Sequence, residues 1–253
     1  MFLFLAMLLL GCVVGFVGAG GAGVTIAMLT IGFNVPIHTA LAVALSAMMF
    51  TMLSGTISHY REKEVVLATG FTLGAGGIFG AVLGVHVADK MASPLLNTMT
   101  ASMLLLSALI LYTKLYHADF LLKHFPVRQT PLTGRKLLLY GLPIGFINGF
   151  LSGAFGIGAA AFIQLCLMIV FGLPLLQSIG TCMLIVLPIS CAGGLGFLLA
   201  GRLDYVIFAE TLAGMMLGAY LGAKFTHRAP RPFLHFVIVA MPTIASLAMF
   251  FHG

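Results

Sequence analysis

The chain has 253 residues, 61% of them hydrophobic and 7% charged, with 12 Lys plus Arg against 6 Asp plus Glu and a formal net charge of +6. At a mean hydropathy of +1.16 there are too few polar side chains to cover a water-facing surface, which excludes a soluble domain and predicts an integral membrane protein. The alternating ten-residue strands of an outer-membrane barrel are absent while apolar runs of about twenty residues recur, so the predicted spans are helices and the fold class is all-α.

The predicted apolar stretches run 1–33, 37–58, 65–88 and 93–113, then 136–171, 175–200, 204–226 and 233–251. The polar segment from Lys114 to Arg135 separates them. This divides the chain into a membrane repeat at 1–113, a basic cytoplasmic linker at 114–135 and a second membrane repeat at 136–253. No Lys or Arg precedes the opening run MFLFLAMLLL, and no small-residue cleavage site leads from it into a soluble domain, so it is read as mature protein rather than a signal peptide. The first stretch of each half is too long for one straight crossing. About 33 residues at 1.5 Å rise span about 50 Å, against a hydrocarbon core of about 30 Å. Gly18, Gly20, Gly21 and Gly23 offer a break in the first half, and Gly153, Gly156 and Gly158 in the second.

The halves are copies of one unit. Gly11, Gly15, Gly18, Gly20, Pro36, Gly55, Gly76, Gly80, Gly84 and Pro94 fall on Gly149, Gly153, Gly156, Gly158, Pro174, Gly193, Gly214, Gly218, Gly222 and Pro232, all 138 positions apart, as Gly11 and Gly149 are. Loop charge then bears on topology. If each long stretch crosses once, Lys and Arg divide 8 to 4 between the two faces of the membrane. If it folds at its glycines and returns, only Lys90 and Arg202 lie on the minor face. The positive-inside rule favours the second arrangement, which inverts one repeat relative to the other and puts both termini outside. Each repeat is then a glycine-broken first helix or hairpin followed by three membrane-spanning helices.

Irregular backbone at membrane depth leaves amides and carbonyls to be satisfied by protein, water or substrate. The amides that open the helix after each break carry partial positive charge, so the pair of breaks is predicted to bind an anion without a cationic side chain. The rows Gly11/Gly15 and Gly76/Gly80/Gly84 are read instead as close helix packing. Cys12, Cys166, Cys182 and Cys191 have no paired spacing, so neither a disulfide framework nor a zinc site is expected, and no cofactor or metal is predicted. Glu210 lies about 9 Å inward from Asp204 along a helix and is a candidate proton-coupling group, with pairing to Arg202 as its simpler role. Interfacial roles are expected for His38 and His86, while Asn148 and Gln164 are candidates for lining a polar path.

The segments Gly149-Phe-Leu-Ser-Gly-Ala-Phe-Gly-Ile-Gly158, Gly172-Leu-Pro174, Ser178-Ile-Gly-Thr181, Gly201-Arg-Leu-Asp204 and Gly214 to Ala223 resemble the TauE/SafE family of sulfite and organosulfonate exporters. The first half resembles it more weakly, through Gly15 to Gly23, Pro36 and Gly76 to Gly84. The resemblance implies movement of small sulfur-containing anions across the bacterial inner membrane by a multi-pass protein. The chain departs from the family's second motif at Ala159, Ala160 and Gln164, and carries Val43 where the second half has Thr181. The second half is therefore expected to supply more side-chain contacts, from Ser152, Ser178 and Thr181.

The predicted substrate-binding residues are Gly18, Gly20, Gly21, Gly23, Ser152, Gly153, Gly156, Gly158, Ser178 and Thr181. The expected function is a secondary carrier, an exporter rather than an enzyme, with an anion channel as the nearer alternative. An intramembrane hydrolase is disfavoured, because neither His-Glu-x-x-His nor Gly-x-Ser-x-Gly occurs. No nucleotide-binding loop is encoded either. The expected partners are a small anion and lipid, with no nucleic acid, and self-association into a homo-oligomer stays open.

Overall fold

The structure, a computed structural model, describes residues 2–17, 21–116, 132, 134–156, 160–226 and 231–252. Every regular element among them is helical. In chain order these are α1 Phe2–Val17, α2 Gly21–Ala27 running into a π turn Met28–Gly32, α3 Ile37–Arg61, α4 Leu67–Lys90, α5 Ser93–Tyr116, α6 Gly134–Phe155, α7 Ala160–Ile169, α8 Leu175–Leu199, α9 Tyr205–Thr226 and α10 Arg231–His252. Ile37–Arg61, Leu67–Lys90, Ser93–Thr113, Gly134–Phe155 and Leu176–Leu199 are each long and apolar enough to cross a membrane. Large apolar side chains left outside the packed interior, such as Phe71 and Phe79 two turns apart on α4, are what a lipid-facing surface requires.

The duplication read from glycines holds for whole elements. Moving 138 positions along carries the first residue of α3 (Ile37) onto that of α8 (Leu175), α4 (Leu67) onto α9 (Tyr205) and α5 (Ser93) onto α10 (Arg231). The helix starts recur because their proline chemistry recurs. Pro36 and Pro174 stand immediately before α3 and α8, while Pro94 and Pro232 sit in the first turns of α5 and α10, where a missing N–H costs no helix bond. The turns recur as well: Asn34 (φ 52°) corresponds to Gly172 (φ 66°), and Lys63 (φ 61°) to Gly201 (φ 69°). Each pair keeps a left-handed residue, glycine in one copy and a strained side chain in the other.

The first apolar stretch folds back on itself. The ring of Phe2, at the start of α1, lies 6.0 Å from that of Phe33, just past the π turn. In the second half, Leu132 and Leu137 at the start of α6 share one buried cluster with Leu167, Phe171 and Leu173 at the end of α7. The first stretch is thus divided into α1 and α2 with its ends brought together, and the second is divided into α6 and α7.

Glycine rows set the tightest helix pairs. A Cβ at Gly76 or Gly80 on α4 would land on the carbonyl of Leu142 or Phe146 on α6, and a Cβ at Gly214 or Gly218 on α9 on that of Phe4 or Leu8 on α1. These are the same contacts moved by one repeat, in the small-residue packing that membrane helices use. Equivalent helices also meet. Gly55 faces Met183, Gly193 faces Leu45 and Gly194 faces Ser46, so numbers rise along α3 as they fall along α8. On α5 and α10, Asn97 Nδ2 donates to the Met249 carbonyl at 3.1 Å and Ser246 Oγ to the Ala101 carbonyl at 2.7 Å, again in opposite directions.

Two ties identify one face of the bundle. His38 Nε2 lies 3.1 Å from the Ala88 carbonyl, joining the start of α3 to the end of α4, and Arg202 Nε lies 2.7 Å from Asp89 Oδ1, joining the α8–α9 turn to the same end. The opposite face carries the start of α4, where Thr181 Oγ1 of α8 accepts the Val66 N–H at 3.0 Å and Gly180 packs on the Glu64 carbonyl.

Candidate functional site at the helix breaks

The second break is built from the last turn of α6. Gly156 donates its N–H to the Ser152 carbonyl at 2.8 Å and then turns left-handed at φ 64°, which ends the helix. A Cβ there would strike Leu41 of α3 and Ile26 of α2, so the break is seated against the first repeat. Gly153 packs on the Ala81 carbonyl of α4, extending the glycine row to the break itself. Ser152 faces the interior. It is 1% exposed, and its Oγ has no hydrogen-bond partner.

Of the first break, Gly21 and Gly23 are described, whereas Gly18, Gly20 and, in the second half, Gly158 lie outside the described residues. Gly23 is closed by the Leu104 side chain of α5. The Gly21 carbonyl accepts from Thr25 Oγ1 at 2.8 Å, and the same hydroxyl lies 3.3 Å from the Met215 sulfur of α9. Thr25 carries no sequence signal, since its repeat counterpart is Ile163. Neither 18–27 nor 152–160 contains a charged side chain, so the break segments themselves offer a ligand only backbone and hydroxyl groups.

The other predicted residues are spread more widely. Ser178 Oγ donates to the Leu173 carbonyl at 3.1 Å, closing the turn between α7 and α8, and Thr181 holds the start of α4. Both hydroxyls are thus engaged with backbone groups. Glu210 Oε2 accepts the Phe4 N–H at 3.2 Å, satisfying an amide at the open start of α1. Arg202, the partner expected for Glu210, pairs with Asp89 instead, because the turn that carries it leans toward the end of α4. Asn148 Nδ2 donates to the Ile144 carbonyl at 2.8 Å and meets Cys166 of α7, while Gln164 is buried on α7 and the Cys182 sulfur lies 3.6 Å from the Ala160 carbonyl.

This arrangement, helix breaks at glycines inside an all-helical apolar bundle, accompanies a match to the Sulfite exporter TauE/SafE family over residues 3–249. The chain belongs to the TauE/SafE family. It is 42% identical over 253 residues to the Probable membrane transporter protein YdhB of Bacillus subtilis (strain 168), covering 99% of this chain and 100% of that one. The Probable membrane transporter proteins YjnA and YunE of the same organism are 25% and 24% identical, over 96% and 89% of both chains. No solved structure matches. TauE/SafE membership makes the protein a multi-pass membrane transporter, with a small-molecule substrate and a lipid surround.

Proposed function

We propose that this TauE/SafE protein is a secondary carrier that exports small sulfur-containing anions, such as sulfite or organosulfonates, across the bacterial inner membrane. The anion binds near the midplane between the two helix breaks. The observation that carries this reading is Ser152: a fully buried hydroxyl without a partner, one turn before the left-handed Gly156, where the second break presses on α2. An unpaired buried donor costs about 1–3 kcal/mol, which a passing oxyanion would return. The backbone amides that open α2 and α7 add the field of a helix start, so a weakly held anion needs no lysine or arginine. Ser178 and Thr181 position the α7–α8 turn and α4 around that site.

The carrier reading includes an inverted arrangement of the repeats. It is supported by the opposite running directions of the equivalent pairs α3/α8 and α5/α10, and by the closure of the first half's opening stretch. It places Lys90 and Arg202 on the outer face and the other ten basic residues inside. Export then needs no second ion. A monoanion leaving a cell that is negative inside gains about 2.3 kcal/mol at 100 mV, enough for roughly fiftyfold accumulation outside.

Proteoliposomes holding the purified protein test the function with a panel of sulfite, sulfoacetate, sulfate and carboxylates. Saturable flux with counterflow is expected for the sulfur oxyanions. Flux without saturation or counterflow means an anion channel, and transport of carboxylates alone removes the sulfur-anion assignment.

A further inference from the structure

Several helical hydroxyls among the described residues fold back on their own helix. Thr25, Thr30, Thr72, Thr98, Ser102 and Thr113 each donate to the carbonyl four residues earlier, the usual way a membrane helix satisfies a hydroxyl. Thr100 on α5 and Thr211 on α9 do not. Both are 0% exposed, and the Oγ1 of each has no hydrogen-bond partner, as with Ser152.

Their places in the fold are related. Among the residues of other helices that touch α2 just after the first break, Leu104 closes over Gly23, Met215 takes the Thr25 hydroxyl, and Gly156 meets Ile26. Each of the three stands four positions after an unpaired hydroxyl, at Thr100, Thr211 and Ser152 respectively. Four positions is about one helical turn, so each hydroxyl lies on the same side of its helix as the residue that touches α2. The helices also differ in direction. α5 and α9 start at the face marked by the Asp89–Arg202 pair, whereas α6 runs beside α4 from the opposite face, with Gly141 against Thr72 and Gly153 against Ala81. Thr100 and Thr211 are therefore displaced from their α2 contacts toward one face, and Ser152 from its contact toward the other.

We propose that Thr100 and Thr211 are further anion-binding residues, forming with Ser152 a succession of hydroxyl donors along α2 that hands a small oxyanion from one side of the break to the other. This rests on the anion-carrier reading and extends it. A row of neutral donors suits transport, because each site holds the anion weakly enough to release it to the next. The donors are matched in type but come from both repeats, which lets a relative movement of the repeats expose one end of the row at a time.

The test uses full-length protein in proteoliposomes, with sulfite as the probe and the variants Thr100→Val, Thr211→Val, Thr100→Ser and Thr211→Ser. Losing one hydrogen bond to a charged ligand should raise the half-saturation concentration about tenfold in each valine variant, and the serine variants should restore it. The thermal midpoint should stay level or rise, since valine removes an unpaired buried hydroxyl while keeping the shape. Thr56→Val, another unpaired hydroxyl but far along α3, should transport normally. Wild-type half-saturation in both valine variants, failure of serine to rescue, or unfolding of the valine variants would each overturn the hydroxyl row. If wild-type protein moves none of the panel anions, the carrier reading itself fails and the row falls with it.

Discussion

Gly156 and Gly201 both hold left-handed backbone, at φ 64° and φ 69°, yet their surroundings differ. A Cβ at Gly201 meets nothing within 4 Å, whereas one at Gly156 collides with Leu41 and Ile26. Gly201→Ala should therefore cost about 1–2 kcal/mol from backbone strain alone. Gly156→Ala should cost at least about 1 kcal/mol more, because two packed side chains must also move. Thermal unfolding in detergent checks the order, and equal midpoints would show that the break is not seated on α2 and α3. A second residue is tested through its chemistry. Because Glu210 holds the Phe4 amide, Glu210→Gln keeps an acceptor in place and should leave flux driven by an imposed pH gradient, at zero membrane potential, unchanged. Loss of pH-driven flux with counterflow intact would assign Glu210 to proton coupling.

Among elements, the pairs α4/α6 and α1/α9 repeat the same glycine contacts, so the same damage is expected in both. Gly80→Ala and Gly218→Ala should each cost about 1–3 kcal/mol, since a methyl placed on a facing backbone carbonyl must force the helices apart. Gly32→Ala, whose Cβ would meet only the Met28 sulfur at 3.6 Å, should be nearly neutral. Similar midpoints for all three variants would remove the close-packing role of the rows. That each first stretch is divided into two helices was legible from length, because an apolar run of that size must tilt or break and glycines mark where it can break. The partners of the rows were not, since α1 and α6 carry one glycine pattern and α4 and α9 another, and pattern alone does not say which copy meets which. Ser152 was legible as part of a glycine motif. Thr100 and Thr211 were not, because their repeat counterparts are Ile238 and Leu73 and a threonine on a helix is ordinary until its neighbours are known.

For the whole molecule, the inverted arrangement fixes which side of the membrane each loop occupies. Single cysteines at Arg61 and Lys136 should be labelled by an impermeant thiol reagent only from the cytoplasmic side, and one at Gly253 only from outside, with the four native cysteines replaced. Finding Lys136 and Gly253 on one side would remove the inverted arrangement. The binding site at the breaks is tested most directly by Ser152→Cys in the same cysteine-free background. Ser152 is sealed from solvent in this conformation, so in a working carrier it must open to each side in turn. The thiol should react slowly with impermeant reagent added from either side, and sulfite should protect it from both. Reaction from one side only, or at a rate sulfite does not change, would contradict a carrier with its anion site at the paired helix breaks.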